Sequence, residues 1–199
     1  MRRGTRQWRS AAGFSAPEAA AVMAGLSILT ATAAPNLQEF LETARVTKAR
    51  GDLRVIAVSL VRLMNDVGPS LRLPGRSTGP NLIVGPGEPP LAETRETAPW
   101  VEPVVDPSIQ TFDAHLVDNT AGYPVASEGP RWRGPYMESV SPDPWGSRYA
   151  LNAAFLAPGS GAPAVVLSAG PNRIVETPFR LTRFTASGDD FLIVVSSGR

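Results

Sequence analysis

Residues 13–35 read GFSAPEAAAVMAGLSILTATAAP, and the architecture of the rest turns on this stretch. Arg2, Arg3, Arg6 and Arg9 precede it without an acid, and between Phe14 and Ala34 the one ionisable side chain is Glu18. At about 1.5 Å per residue this segment makes a helix of roughly 30 Å, a bilayer's hydrocarbon thickness. The expectation is a leader over 1–13, held on the cytoplasmic side by its arginines, and a transmembrane helix over 14–34. Beyond it, Leu53, Ile56, Ala57, Leu60, Met64 and Val67 recur at helical spacing, while Arg45, Lys48, Arg50, Arg54 and Arg62 supply a polar side. An amphipathic helix over 35–68 follows, stopped by Gly68-Pro69. Phe14 to Val67 then forms one helix, with a kink or a melted turn at Pro35, where a hydrogen bond is lost.

A second reading treats the arginines as the n-region of a secretory signal cut after Ala31-Thr32-Ala33, which releases a secreted binding module. Glu18 at the mouth of the apolar stretch opposes it, because a carboxylate there is costly. So does Pro35, close behind the cut.

Composition narrows the function classes. The 19 Lys and Arg nearly balance the 18 Asp and Glu. Without the arginines of 1–13 the remainder is acidic, about −3 (15 basic, 18 acidic), which argues against nucleic acid as a partner. With no cysteine there are no disulfides and no thiolate metal sites. His115, the single histidine, is expected in a loop; no nucleophile motif accompanies it, so the chain is not expected to be an enzyme.

Fourteen of the 20 prolines lie between Pro69 and Pro144. Runs such as GPGEPP exclude long helices and central strands, so Pro69 to about Pro107 is expected as an extended surface loop within a Pro-rich region 69–125. The segment IQTFDAHLV suits a short strand or a helical turn. In the region 126–199, strands are expected at Arg148–Phe155, Ala164–Ala169 and Phe191–Ser196, with a short one at Arg173–Glu176. The fold class is α+β: a long N-terminal helix, half transmembrane and half amphipathic, packed on a small C-terminal antiparallel sheet.

Gly13-Phe14-Ser15-Ala16-Pro17-Glu18 resembles the processing site of type IV prepilins, and WRGPYMESVSPDPWGSRYALN from residue 132 resembles a segment of type II secretion pseudopilins, the major type in particular. Trp132, Gly134, Pro135, Tyr136, Asp143, Pro144, Trp145, Gly146 and Tyr149 carry the second likeness. Pro35, the twenty-second residue from Phe14, stands where such helices carry a proline. Ala12 and Pro17 depart from the family pattern, although a helix's first turn accepts proline.

The resemblance implies a pilin-like fold, a prepilin peptidase cutting between Gly13 and Phe14, N-methylation of Phe14, and pairing of Glu18 with the N-terminal amine of a neighbouring subunit. It implies a single-pass inner-membrane protein with a periplasmic head that assembles into a periplasmic filament. Its partners would be copies of itself, minor pseudopilins, the inner-membrane secretion assembly platform and the membrane. It further implies a calcium loop, for which Asn172, Asp189 and Asp190 are the candidates; no other cofactor is expected. A type IV pilin or a minor pseudopilin is the neighbouring assignment.

Overall fold

The computed structural model describes residues 15–71, 73, 76, 79–125 and 128–198, the side chains of 28–36 excepted. The expected cleavage site, Gly13 and Phe14, lies outside the described residues, as does the side chain of Pro35. The chain divides into two compact units, one ending at Thr43 and one beginning at Ala44.

Helix α1 (Ala16–Val67) starts in the first unit, with Ser15 before it. The Ser15 backbone N–H and hydroxyl both donate to the Glu18 carboxylate, at 2.8 and 2.6 Å. This is the acidic half of a capping box: it satisfies groups that the helix start leaves unpaired, and those bonds lower the Glu18 pKa. Pro17 sits in the same first turn. The helix continues through Pro35 without a break, so the melted turn expected there is not found.

The inner-membrane, single-pass placement is overturned: among the described residues no helix is long and apolar enough to cross a membrane. The physical reason lies in the side chains. Residues 16–34 are dominated by alanine and interrupted by Ser27, Thr30, Thr32 and Glu18, so the length of a span is present without its apolar surface.

The second unit is α+β. Ala49, Leu53, Ile56, Ala57, Leu60 and Leu63 of α1 are buried, and the helix stops at Gly68, whose φ of 104° gives the left-handed cap. A four-stranded antiparallel sheet runs in the order β1 (Ile83–Val84), β3 (Ala150–Leu151), β4 (Ala164–Ser168), β6 (Phe191–Ser196). Alternation along β4 divides the core. Ala164 and Val166 face the cluster holding Leu53, Ile56, Leu60 and Leu63, whereas Val165 and Leu167 join Trp100, Leu82 and Val175. All of β4 is therefore buried.

The expected surface loop from Pro69 to Pro107 proves to be part of this core. It contributes Leu71, Leu73, Leu82, β1, and a 3-10 turn at Ala98–Val101 that delivers Trp100, which is fully buried. The Trp100 indole donates to the Thr177 carbonyl at 2.9 Å and meets Phe179 edge-on. Prolines keep the regular elements here to two to four residues, but they do not stop single apolar residues from filling a sheet's second face. IQTFDAHLV takes the helical alternative, as α2 (Pro107–Gln110) and α3 (Phe112–Leu116). The short strand expected near Arg173 is β5 (Ile174–Val175), which pairs in parallel with β2 (Leu91–Ala92) and stands apart from the main sheet.

Strand β3 ends at Leu151, four residues short of the run expected to Phe155, because Asn152 diverts the chain. Its carboxamide oxygen accepts from Val165 N–H at 2.6 Å, and its amide donates to the Pro163 and Phe179 carbonyls. A buried side chain thus replaces backbone pairing. Asn152→Ala leaves all three partners unpaired, and urea denaturation should show a loss of about 2–4 kcal/mol at an unchanged m-value.

Candidate functional site

The two aromatic motifs of residues 132–149 fold into a clamp on α1. Trp132 and Tyr136 meet edge to face at 5.7 Å with Gly134 between them. A Cβ on Gly134 would lie 2.5 Å from the Trp132 ring and 2.8 Å from the Tyr136 ring, so glycine is required there. The Gly134–Pro135 peptide is cis. From this corner the Trp132 indole donates to the His115 carbonyl at 2.9 Å, and the Tyr136 hydroxyl donates to Asp66 of α1 at 2.8 Å. Ser59 of α1 donates to the Tyr136 carbonyl. Trp132, Gly134, Pro135 and Tyr136 therefore fasten α3 to the end of α1.

Asp143-Pro144-Trp145-Gly146 forms the tight turn its sequence suggests. Gly146, at φ 90°, donates to the Asp143 carbonyl at 2.9 Å. The buried Asp143 carboxylate accepts from the Trp145 and Ser147 amides through one oxygen and from the Ser168 hydroxyl through the other. Trp145 stacks on Phe191 of β6, with rings 6° from parallel, and Arg50 of α1 lies 5.3 Å from the same Phe191 ring. Tyr149, fully buried, donates to Asp52 of α1 at 3.0 Å; burial drives its pKa upward. The helix-side partners Asp52, Ser59 and Asp66 were not picked out in the sequence, where they read as ordinary polar positions of an amphipathic helix. Arg148 was also missed. It is buried, donates to the Trp100 and Glu102 carbonyls, and is desolvated enough to lower its pKa.

Asn172, Asp189 and Asp190 do come together, through Glu176. Asn172 and the Asp189 amide both donate to Glu176 Oε2, at 3.4 and 2.8 Å. Asp190 is buried and spends Oδ2 on the Glu176 and Thr177 amides. Its Oδ1 has no hydrogen-bond partner, and burial raises its pKa against the pull of those amides. The group works as a loop staple. Among the described residues no three acidic or histidine side chains are grouped so as to hold a metal ion.

His115 is buried in α3 and does not sit in a loop as expected. Its Nε2 lies 2.8 Å from the Ile109 carbonyl, which can only accept, so Nε2 carries the proton and Nδ1 accepts from the Tyr123 hydroxyl, also at 2.8 Å. The ring is spent on packing.

No family model matches the chain, and neither a curated protein nor a solved structure matches it.

Burial holds the His115 pKa below its ordinary value, partly offset by the bond to Ile109. The unfolded chain takes up a proton near pH 6.5 while the fold resists it, so stability present above that pH is lost as pH falls toward the folded pKa. Thermal melting should show this decline below pH 6.5, at most about 1.4 kcal/mol per pH unit, and His115→Gln should flatten it.

Proposed function

We propose that the chain is a structural subunit of a self-assembling filament, of the pseudopilin type found in type II protein secretion, with a pilin-like arrangement of helix on sheet. One observation carries this reading. Every described side chain from Ser15 to Leu41 is exposed, including Val22, Met23, Leu26, Leu37, Phe40 and Leu41. A helix that presents so many apolar side chains to water is suited to packing against other helices. In the second unit α1 also carries Val55, Val58 and Val61 on its exposed side, at 55, 47 and 41 % exposure.

The aromatic clamp supports the same reading. It spends Tyr136 and Tyr149 on hydrogen bonds to α1, Trp132 on α3, and Asp143 and Trp145 on the turn and the sheet, and leaves no acid-base or nucleophilic constellation among them. Such a subunit acts through shape and packing. Its partners in this reading are further copies of the chain, minor pseudopilins, a secretion assembly platform and a prepilin peptidase. Glu18, which caps its own helix in the isolated chain, would exchange that partner for the amine of the neighbouring Phe14 on assembly.

Maturation provides the test. Mass spectrometry of the protein from its native cells should find a chain beginning at Phe14 and one methyl group heavier than the unmodified residue. A chain beginning at Ala34 would replace this reading with a secreted binding module.

Calcium at the Asp190 loop extends the proposal. The oxygen of Asp190 without a hydrogen-bond partner, together with Asp189, Asn172 and backbone carbonyls, supplies hard oxygen donors of the kind calcium takes. Millimolar calcium should then raise the melting temperature of chelator-stripped protein by several degrees, with magnesium doing little, and Asp189→Ala/Asp190→Ala should abolish the rise. An unchanged melting temperature would leave the staple as the loop's whole role.

A further inference from the structure

Strand β6 lies at the margin of the four-stranded sheet. Strand β4 pairs with one of its edges, and among the described residues no strand pairs with the other. Alternate amides and carbonyls along the open edge are left to bond an extended chain. Such edges are ordinarily guarded by proline or by charged side chains, and FLIVVS, residues 191–196, contains neither. Beside this edge the exposed side of α1 forms the second wall of a groove of about 260 Å³, lined by Arg54, Val58, Val61, Arg62, Ile193 and Val194. The helix follows the strand: Arg50 lies over the Phe191 ring, and Val58 and Val61 stand by Ile193 and Val194. Arg54 and Arg62 make no ion pair among the described residues.

The backbone and the side chains specify the same kind of occupant. A helix laid in the groove would leave the edge of β6 unpaired, because its own backbone groups are already bonded to one another. An extended chain supplies the missing partners. It also turns every second side chain toward α1, so that its residues i, i+2 and i+4 all enter the groove. Arg54 and Arg62 are eight residues apart on the helix, about 12 Å, and four residues of extended chain cover about 13 Å. Side chains i and i+4 thus reach the two guanidinium groups while i+2 meets Val58 and Val61. We propose that this seam docks an extended segment of a partner protein, added to the sheet beside β6, with carboxylates at i and i+4 and an apolar side chain at i+2. Backbone bonds along β6 supply affinity, and the three groove-facing side chains supply the choice of sequence. The site needs no second copy of the chain and so stands apart from the filament reading.

The probe is the end-blocked peptide TETVTET, titrated into dilute full-length chain while amide exchange is followed along 191–196. Saturable binding is expected, with exchange slowed at alternate amides of β6. The peptides TKTVTKT and TETNTET, which reverse the charge and remove the apolar centre, should each bind about tenfold more weakly or worse. Arg54→Glu/Arg62→Glu should invert the preference between TETVTET and TKTVTKT, and the inversion would show that the variant is folded. No saturation by millimolar peptide, equal binding of the acidic and the lysine peptides, or an unchanged preference in the variant overturns the site. Binding that leaves exchange along β6 unaltered would be an ionic contact alone and overturns it as well. Amides of β6 that are protected without peptide, and increasingly so as the chain is concentrated, would show that a second copy takes the edge and would also overturn it. Each of these failures leaves the filament reading standing, since that reading is decided by the mature N-terminus.

Discussion

The second unit depends on removing β4 from water on both faces. Five residues, Ala164 to Ser168, form one wall of each of two apolar clusters, so neither cluster can be complete without the other. One cluster is supplied by the buried side of α1; the other is assembled from Trp100, Leu82 and Val175, residues far apart in the chain. A strand this apolar would be an aggregation hazard if either cover were missing. The fold therefore needs the Pro-rich region as much as it needs the helix.

Hydrogen bonding then decides where the helix sits. Apolar contact is indifferent to small rotations, but Tyr149 to Asp52, Ser59 to the Tyr136 carbonyl and Tyr136 to Asp66 fix three points along the buried side of α1. Each anchor comes from the two aromatic motifs, and each motif has a glycine where a side chain would intrude or where φ is positive. The motif residues thus set the angle at which the helix presents its other side, the side bearing Val55, Val58 and Val61.

Much of this was legible in the sequence, and the failures share a cause. The amphipathic half of α1 could be read because Leu53, Ile56, Ala57 and Leu60 repeat at helical spacing, and the turn at Asp143 because Pro and Gly fix its backbone. β4 and β6 announced themselves through runs of β-branched residues. Trp100 and Leu82 gave no such signal: isolated apolar residues among prolines have no period, and burial of that kind is decided by tertiary contact. His115 was misplaced for the same reason, since its partner Tyr123 is not indicated by spacing. The stretch from Phe14 to Ala34 misled in the opposite direction, because its length and lack of charge resemble a span while its alanines do not supply the apolar surface. In the candidate site, the aromatic residues were visible but Asp52 and Asp66, which receive their hydrogen bonds, looked like solvated helix positions.

A helix with apolar side chains exposed on the side away from its own core is the feature on which the account rests. Electron microscopy of the chain beginning at Phe14, imaged across a concentration series, examines its consequence most directly. The account predicts fibres of uniform width built from regularly spaced copies. Isolated particles of single-chain mass at the highest concentration attained would contradict it.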